Sequence, residues 1–244
     1  GHSKWANIQH RKGKQDAKRG KLFTKFIREI TVAAKMGGSD PGSNPRLRLA
    51  VDKALGGNMT RDTIDRAIKK GAGELEDVTY LENRYEGYGT NGVAIMVDTM
   101  TDNPNRTASD VKHAFSKFGG NLGAQGSVGY LFEKQGVLAY ADDADEDAIM
   151  EAALEAGADD VLAAEDGSLE VITTEDAFID VKETMIAAGH QPAHDEVTMR
   201  ASTDVSLDAE QGGKLLKLID ALEDLDDVQN VWSNADIPED AYSS

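Results

Sequence analysis

The chain has 244 residues, 40% of them hydrophobic, and a formal net charge of −18 at pH 7. That length suits one large domain or two to three small ones, and the apolar share is ordinary for a chain with a packed core. The absence of cysteine excludes a disulfide framework and any thiolate metal site, and no apolar run approaches the roughly 18–20 residues that span a bilayer.

The start Gly1-His2-Ser3-Lys4-Trp5 lacks the apolar stretch of a secretory signal, so a cytoplasmic location is expected. The net charge hides a division. Residues 1–73 hold 17 Lys and Arg against 6 Asp and Glu, a net of +11; the rest hold 9 against 38, a net of −29. One sign concentrated in a third of a chain points to divided labour.

From 15 to 36, Leu22, Phe23, Phe26, Ile27, Ile30, Ala33 and Ala34 recur at three- and four-residue spacing and predict a helix. Lys18, Lys21, Lys25, Arg28 and Lys35 fall on the opposite stripe. Gly37-Gly38 ends the helix. Asn44-Pro45 opens a second, burying Leu47, Val51, Ala54 and Leu55, and Thr60 caps a third, burying Ile64, Ala67 and Ile68. Three helices thus make a basic domain over 1–74.

Residues 74–86 read as a polar, acidic linker. The hydrophobic period then changes. Strands are predicted at 93–97 and 127–132, around a helix carrying Val111, Phe115 and Phe118, with Thr107 and Asp110 at capping-box spacing. Next come a strand at 137–140, a helix at 146–156, two strands flanking Asp166-Gly167, a helix at 175–188 and a long strand at 196–207. That βαββαβ order is ferredoxin-like. A last helix at 209–225, with Leu215, Leu218, Ile219 and Leu222, and a strand at 228–232 lack partners, as does the small β-α-β of 87–132. Pairing these gives a discontinuous α+β domain of 75–132 and 205–244, into which 133–204 is inserted. The predicted class is α+β with three domains, a helical domain and two ferredoxin-like α/β domains, one inside the other.

Lys4, Trp5, Arg11, Lys12, Lys14, Lys18, Arg19, Lys21, Lys25 and Arg28 are the candidate nucleic-acid contacts. Phosphates need such cations, whose number sets the salt dependence of binding, and an aromatic ring stacks on a base or sugar. Trp5 serves equally well as an apolar anchor for the first turn. The cations have a second partner available in the acidic remainder of the same chain. Asn7, Gln9, Arg11 and Gln15 are candidate readers of base edges, although no recognition-helix motif frames them.

Other constellations reduce to structure. The run Gly119-Gly120-Asn121-Leu122-Gly123-Ala124-Gln125-Gly126 leads from helix to strand, the reverse of a phosphate-binding loop, and lacks the Gly-Lys-Ser/Thr ending. His190 and His194 flank Pro192, which opposes a helical metal pair and favours a surface turn. The acidic run at 142–147 fails the EF-hand spacing and suits a helix start. No nucleophile, base and oxyanion site come together. A protein that is not an enzyme, with no cofactor, metal or small-molecule substrate, is expected.

Gly1-His2-Ser3-Lys4-Trp5, Asp16-Ala17-Lys18-Arg19-Gly20-Lys21, Asn44-Pro45-Arg46-Leu47-Arg48, Tyr85-Glu86-Gly87-Tyr88-Gly89 and the block from 102 to 132 resemble the YebC family over nearly the whole chain. The resemblance implies a three-domain α/β protein of the cytoplasm, with members described as DNA-binding transcriptional regulators. A mitochondrial relative is a translational activator, and bacterial relatives are linked to relief of ribosome stalling. A DNA-binding transcriptional regulator is therefore the first expectation. A ribosome-associated translation factor binding structured RNA is the alternative.

Overall fold

The computed structural model describes residues 4–73 and 79–243. Four helices, α1 (Lys4–Ala17), α2 (Arg19–Gly37), α3 (Pro45–Gly56) and α4 (Arg61–Gly71), occupy the first segment, where the apolar pattern had shown three. The extra one is α1. Lys18, at φ −112° and ψ 34°, departs from helical geometry and separates α1 from α2. Phe26, Ile30, Ala33 and Ala34 of α2 pack on Leu47, Ala50 and Ala54 of α3 and on Ile64 and Ala67 of α4. Asn44 stitches two helices together: its Oδ1 accepts from Leu47 N (3.2 Å), while its Nδ2 donates to Ala33 O (2.8 Å). Where α4 crosses α2, a Cβ at position 71 would lie 2.2 Å from the Thr31 carbonyl oxygen. Only glycine fits there.

The remainder runs β1 (Leu81–Tyr88), β2 (Ala94–Thr101), α5 (Pro104–Lys117), β3 (Asn121–Leu122), β4 (Phe132–Tyr140), α6 (Glu146–Ala156) and β5 (Asp160–Ala163). It continues with β6 (Leu169–Thr173), α7 (Phe178–Ala187), β7 (His194–Ala201), β8 (Val205–Ser206), α8 (Ala209–Glu223), β9 (Val228–Ser233) and β10 (Ala235–Asp236). One antiparallel sheet has the order β3-β1-β2-β9, a second β5-β6-β4-β7, and β8 pairs in parallel with β10.

In the first sheet the chain's far end returns to its middle, with Ile95 opposite Ser233 and Val97 opposite Val231. Val111 and Phe115 of α5 and Leu215, Leu218 and Leu222 of α8 cover Ile95 and Val97 on one face. Ala94 and Met96 face the other way, onto Val128, Phe132 and Trp232. The second sheet has the strand order of a ferredoxin-like unit, and α6 and α7 bury Leu138 and Val171 beneath Ile149, Phe178 and Met185. The protein is a mixed α/β structure, a helical head joined to a two-part region of antiparallel sheets.

Several local expectations change. The predicted linker contains β1, whose first four residues are all exposed and so carry no apolar alternation; its residues 74–78 lie outside the described ones. The strand expected at 127–132 is instead a turn with a 3-10 segment at Gly129–Leu131. Its physical cause is Glu86, buried on β1, whose carboxylate accepts from the amides of Gly126, Val128 (3.1 Å) and Gly129. Those amides are spent on a side chain and cannot join a ladder. Burial pushes the Glu86 carboxyl up, and the three amides outweigh it and hold it below the usual range.

Helix α5 is capped not by Thr107 but by Asn103, which accepts from Arg106 N at 3.1 Å, with Pro104 behind it. The long strand expected at 196–207 splits into β7 and β8, which join different sheets. His194 lies in β7 and not in a turn.

Candidate nucleic-acid interface

Helix α2 has two working faces. Its apolar stripe faces α3 and α4, and its cationic stripe faces the end of α8 and the turn into β9. Lys21 Nζ donates to Asp224 O (2.8 Å), Lys25 Nζ to Glu223 O (2.5 Å), and Arg28 Nη1 to Asp226 O (3.1 Å) and Met100 O (2.9 Å). Helix α8 has no basic residue in its last turn, although its terminal carbonyls are unpaired along the helix and mark the negative end of its dipole. The cations of α2 cap it from outside. Gln229 Nε2 returns a bond to Lys25 O (2.9 Å).

Carboxylates complete the contact. Lys14 pairs with Asp220 (2.9 Å), Lys18 with Asp224, and Arg11 with Glu196 on β7 (2.7 Å). Asp227, whose side chain is 6% exposed, collects Arg28 (3.1 Å), Arg106 (2.9 Å) and Thr107 Oγ1 (2.8 Å). Burial pushes the Asp227 carboxyl up, and bonds from Arg106, Thr107 and Arg28 overcome this and hold it low. At Glu196 burial again acts upward, and Arg11 and His194 hold the carboxyl well below the usual carboxylate range. Burial pushes the Lys25 ammonium down and the Glu223 carboxyl up. On α1, Asn7 Oδ1 accepts from Tyr242 Oη (3.0 Å), and His10 stacks on the Tyr242 ring at 4.2 Å.

Six of the ten candidate contacts (Arg11, Lys14, Lys18, Lys21, Lys25 and Arg28) are thus brought together, and what they hold is this chain's own acidic surface. Lys12 is exposed, Arg19 lies over the Phe23 ring at 5.3 Å, and Lys4 and Trp5 are half-buried at the start of α1. Of the candidate base readers, Gln9 is exposed, Gln15 is half-buried, and Asn7 and Arg11 are engaged as described. The head's outward cations also include Arg61, Arg66 and Lys69 on α4, which are exposed and form no ion pair among the described residues. These three were missed because α4 interleaves them with Asp62 and Asp65, which masks the charge in the sequence. The acidic partners Asp220, Asp224 and Asp227 left no signal beyond their charge.

Among the described residues no group of three or more His, Asp or Glu is placed to hold a metal ion. Nor is any helix there long and apolar enough to cross a membrane.

Two family models match this chain, the TACO1/YebC protein N-terminal domain over residues 3–74 and the TACO1/YebC second and third domain over 80–235. The chain belongs to the TACO1/YebC family. Similar members of that family include a probable transcriptional regulatory protein of Thioalkalivibrio sulfidiphilus, 69% identical over all of this chain and 98% of the relative. The transcriptional regulatory protein PmpR of Pseudomonas aeruginosa is 63% identical over the same shares. Among solved structures, a conserved hypothetical protein, Aq1575, from Aquifex aeolicus matches with a TM-score of 0.81 and 47% identity, covering 97% of this chain and 98% of that one. The boundary between the two TACO1/YebC matches falls at 74–80, where the helical head ends and the sheets begin.

Proposed function

We propose that this protein is a cytoplasmic, non-enzymatic regulator of transcription that holds duplex DNA on its basic helical head. The carrying observation is the division of charge, +11 over residues 1–73 against −29 over the rest. Relatives named as transcriptional regulatory proteins support the reading. Lys4, Trp5, Arg11, Lys12, Lys14, Lys18, Arg19, Lys21, Lys25 and Arg28 are the proposed contacts, joined by Arg61, Arg66 and Lys69.

The docked stripe gives this reading a mechanism. Carboxylates and helix-end carbonyls occupy on α2 the positions that phosphate oxygens would take. DNA first meets the outward cations and then exchanges places with the end of α8. An equilibrium that keeps the stripe docked lowers the apparent affinity by the undocked fraction.

Fluorescence anisotropy of the full chain on a labelled DNA duplex and on a structured RNA of equal charge, across a salt series, tests it. Binding to DNA should fall steeply with salt, and Lys21→Glu, Lys25→Glu and Arg28→Glu together should abolish it. Normal binding by that triple variant sinks the assignment. Stronger binding to the RNA moves the function to translation.

A further inference from the structure

Residues 133–204 hold 20 Asp and Glu against 3 Lys and Arg, a net of −17, nearly the whole charge of the chain. Strand β5 forms one border of the sheet in this segment. It pairs with β6 on one side, and no strand among the described residues pairs on its other side; there the Val161 amide donates to Asp160 Oδ1 (2.8 Å), and the backbone carbonyls of Val161 and Ala163 face outward. Apolar side chains gather beside that border. Met150 and Leu154, one turn apart on α6, are 39% and 70% exposed, and Leu162 on β5, 45% exposed, lies on the opposite face of the sheet from Val161 and α6. Met150, Ala153, Leu154, Ala158 and Val161 line a shallow groove of about 130 Å³ between α6 and β5. Around it stand Glu151, Glu155 and Asp159, none with an ion-pair partner among the described residues.

We propose that this border is a docking site for an extended, cationic segment of another protein, which adds to the sheet beside β5 and places apolar side chains against Met150 and Leu154. Backbone pairing supplies the adhesion, and side chains on alternating faces supply the selection. The unpaired acids decide the occupant. Nucleic acid is repelled, and so is a second copy of this chain, which would bring an equally acidic border edge to edge. A Lys- or Arg-bearing strand meets three open carboxylates and leaves the apolar pair covered.

The proposal is independent of nucleic-acid binding by the head. It is tested by titrating the isotopically labelled full chain with a short synthetic peptide of alternating Lys and Val, following backbone amides by NMR. Amide shifts should concentrate in β5 and the facing turns of α6. Leu154→Ser, at a mostly exposed position, should weaken binding about tenfold, and Glu151→Lys with Glu155→Lys by about as much. A peptide with Pro at its centre, which lacks a ladder donor, should bind at least about tenfold less well. Equal binding of the Pro peptide with no effect of Leu154→Ser would mean diffuse charge attraction and overturn the proposal. Shifts centred on α8 and β9 would overturn it as well, as would concentration-dependent self-association of the free chain that Leu154→Ser abolishes.

Discussion

Two acidic rims of this protein carry the same side chains in opposite circumstances. At the end of α8, Asp220, Asp224 and Asp227 are matched by Lys14, Lys18 and Arg28, and Asp227 is nearly sealed from water. At the α6–β5 border, Glu151, Glu155 and Asp159 stand in solvent with no cationic partner among the described residues. The first rim is satisfied within the chain, and the second is available. Charge count alone does not distinguish them. Geometry does, because the first rim coincides with a helix C-terminus whose carbonyls already demand donors, while the second borders an open strand.

Substitution should separate the rims sharply. Asp227→Ala leaves the largely buried Arg28 without its carboxylate, and the loss in thermal or chemical denaturation should be about 3 kcal/mol. An unchanged midpoint would mean that the contact is ornamental. Asp220→Lys with Asp224→Lys turns attraction into repulsion, should free the head, and should raise affinity for duplex DNA about tenfold at low salt, roughly 1.4 kcal/mol. Unaltered anisotropy curves would show that docking and DNA binding do not compete.

Acid should act in the same direction more gently. The Glu196 carboxyl is held low in the docked state by Arg11 and His194, so its contribution is fully present above the ordinary carboxylate pKa of about 4.3 and disappears as pH falls through and below it. Glu223, pushed up by burial, works against that trend. Energy transfer between dyes on α4 and α7 should therefore decline modestly below about pH 4.3, and a rise would reverse the assignment of the dominant carboxylate. At the other rim, Glu151→Gln, Glu155→Gln and Asp159→Asn should each move stability by no more than about 0.5 kcal/mol and leave DNA binding as it was.

Much of the fold was legible where one side of an element is apolar. The α2 stripe, α6, α8 and β9 follow directly from the spacing of buried residues. Elements whose buried face is short escaped notice: among the described side chains of α1 Ile8 alone is sealed from solvent, and β1 buries only Glu86 and Gly87. The 127–132 segment misled for a different reason, since Val128 and Phe132 are buried on a turn that Glu86 organises from another strand. Such long-range bonding has no local pattern. The cations of the candidate site were legible as a stripe, and the possibility of docking on the acidic remainder was visible too. Which acids would face them was not, because a helix end and a strand start meet there only after the sheet closes.

The pairing of β2 with β9 also bears on the order of events during synthesis. A chain that emerges from its N-terminus can assemble the four-helix head early, since its core uses only residues within 4–73. Apart from Met100 O and Glu196, the carbonyls and carboxylates that meet the cations of the head described above belong to residues 220–227, and they are brought into place by a strand that pairs with one made far earlier. Throughout most of elongation the head is therefore folded while its cations are bare, within reach of the ribosome's own phosphates. Most of their partners lie in the last tenth of the chain and arrive last.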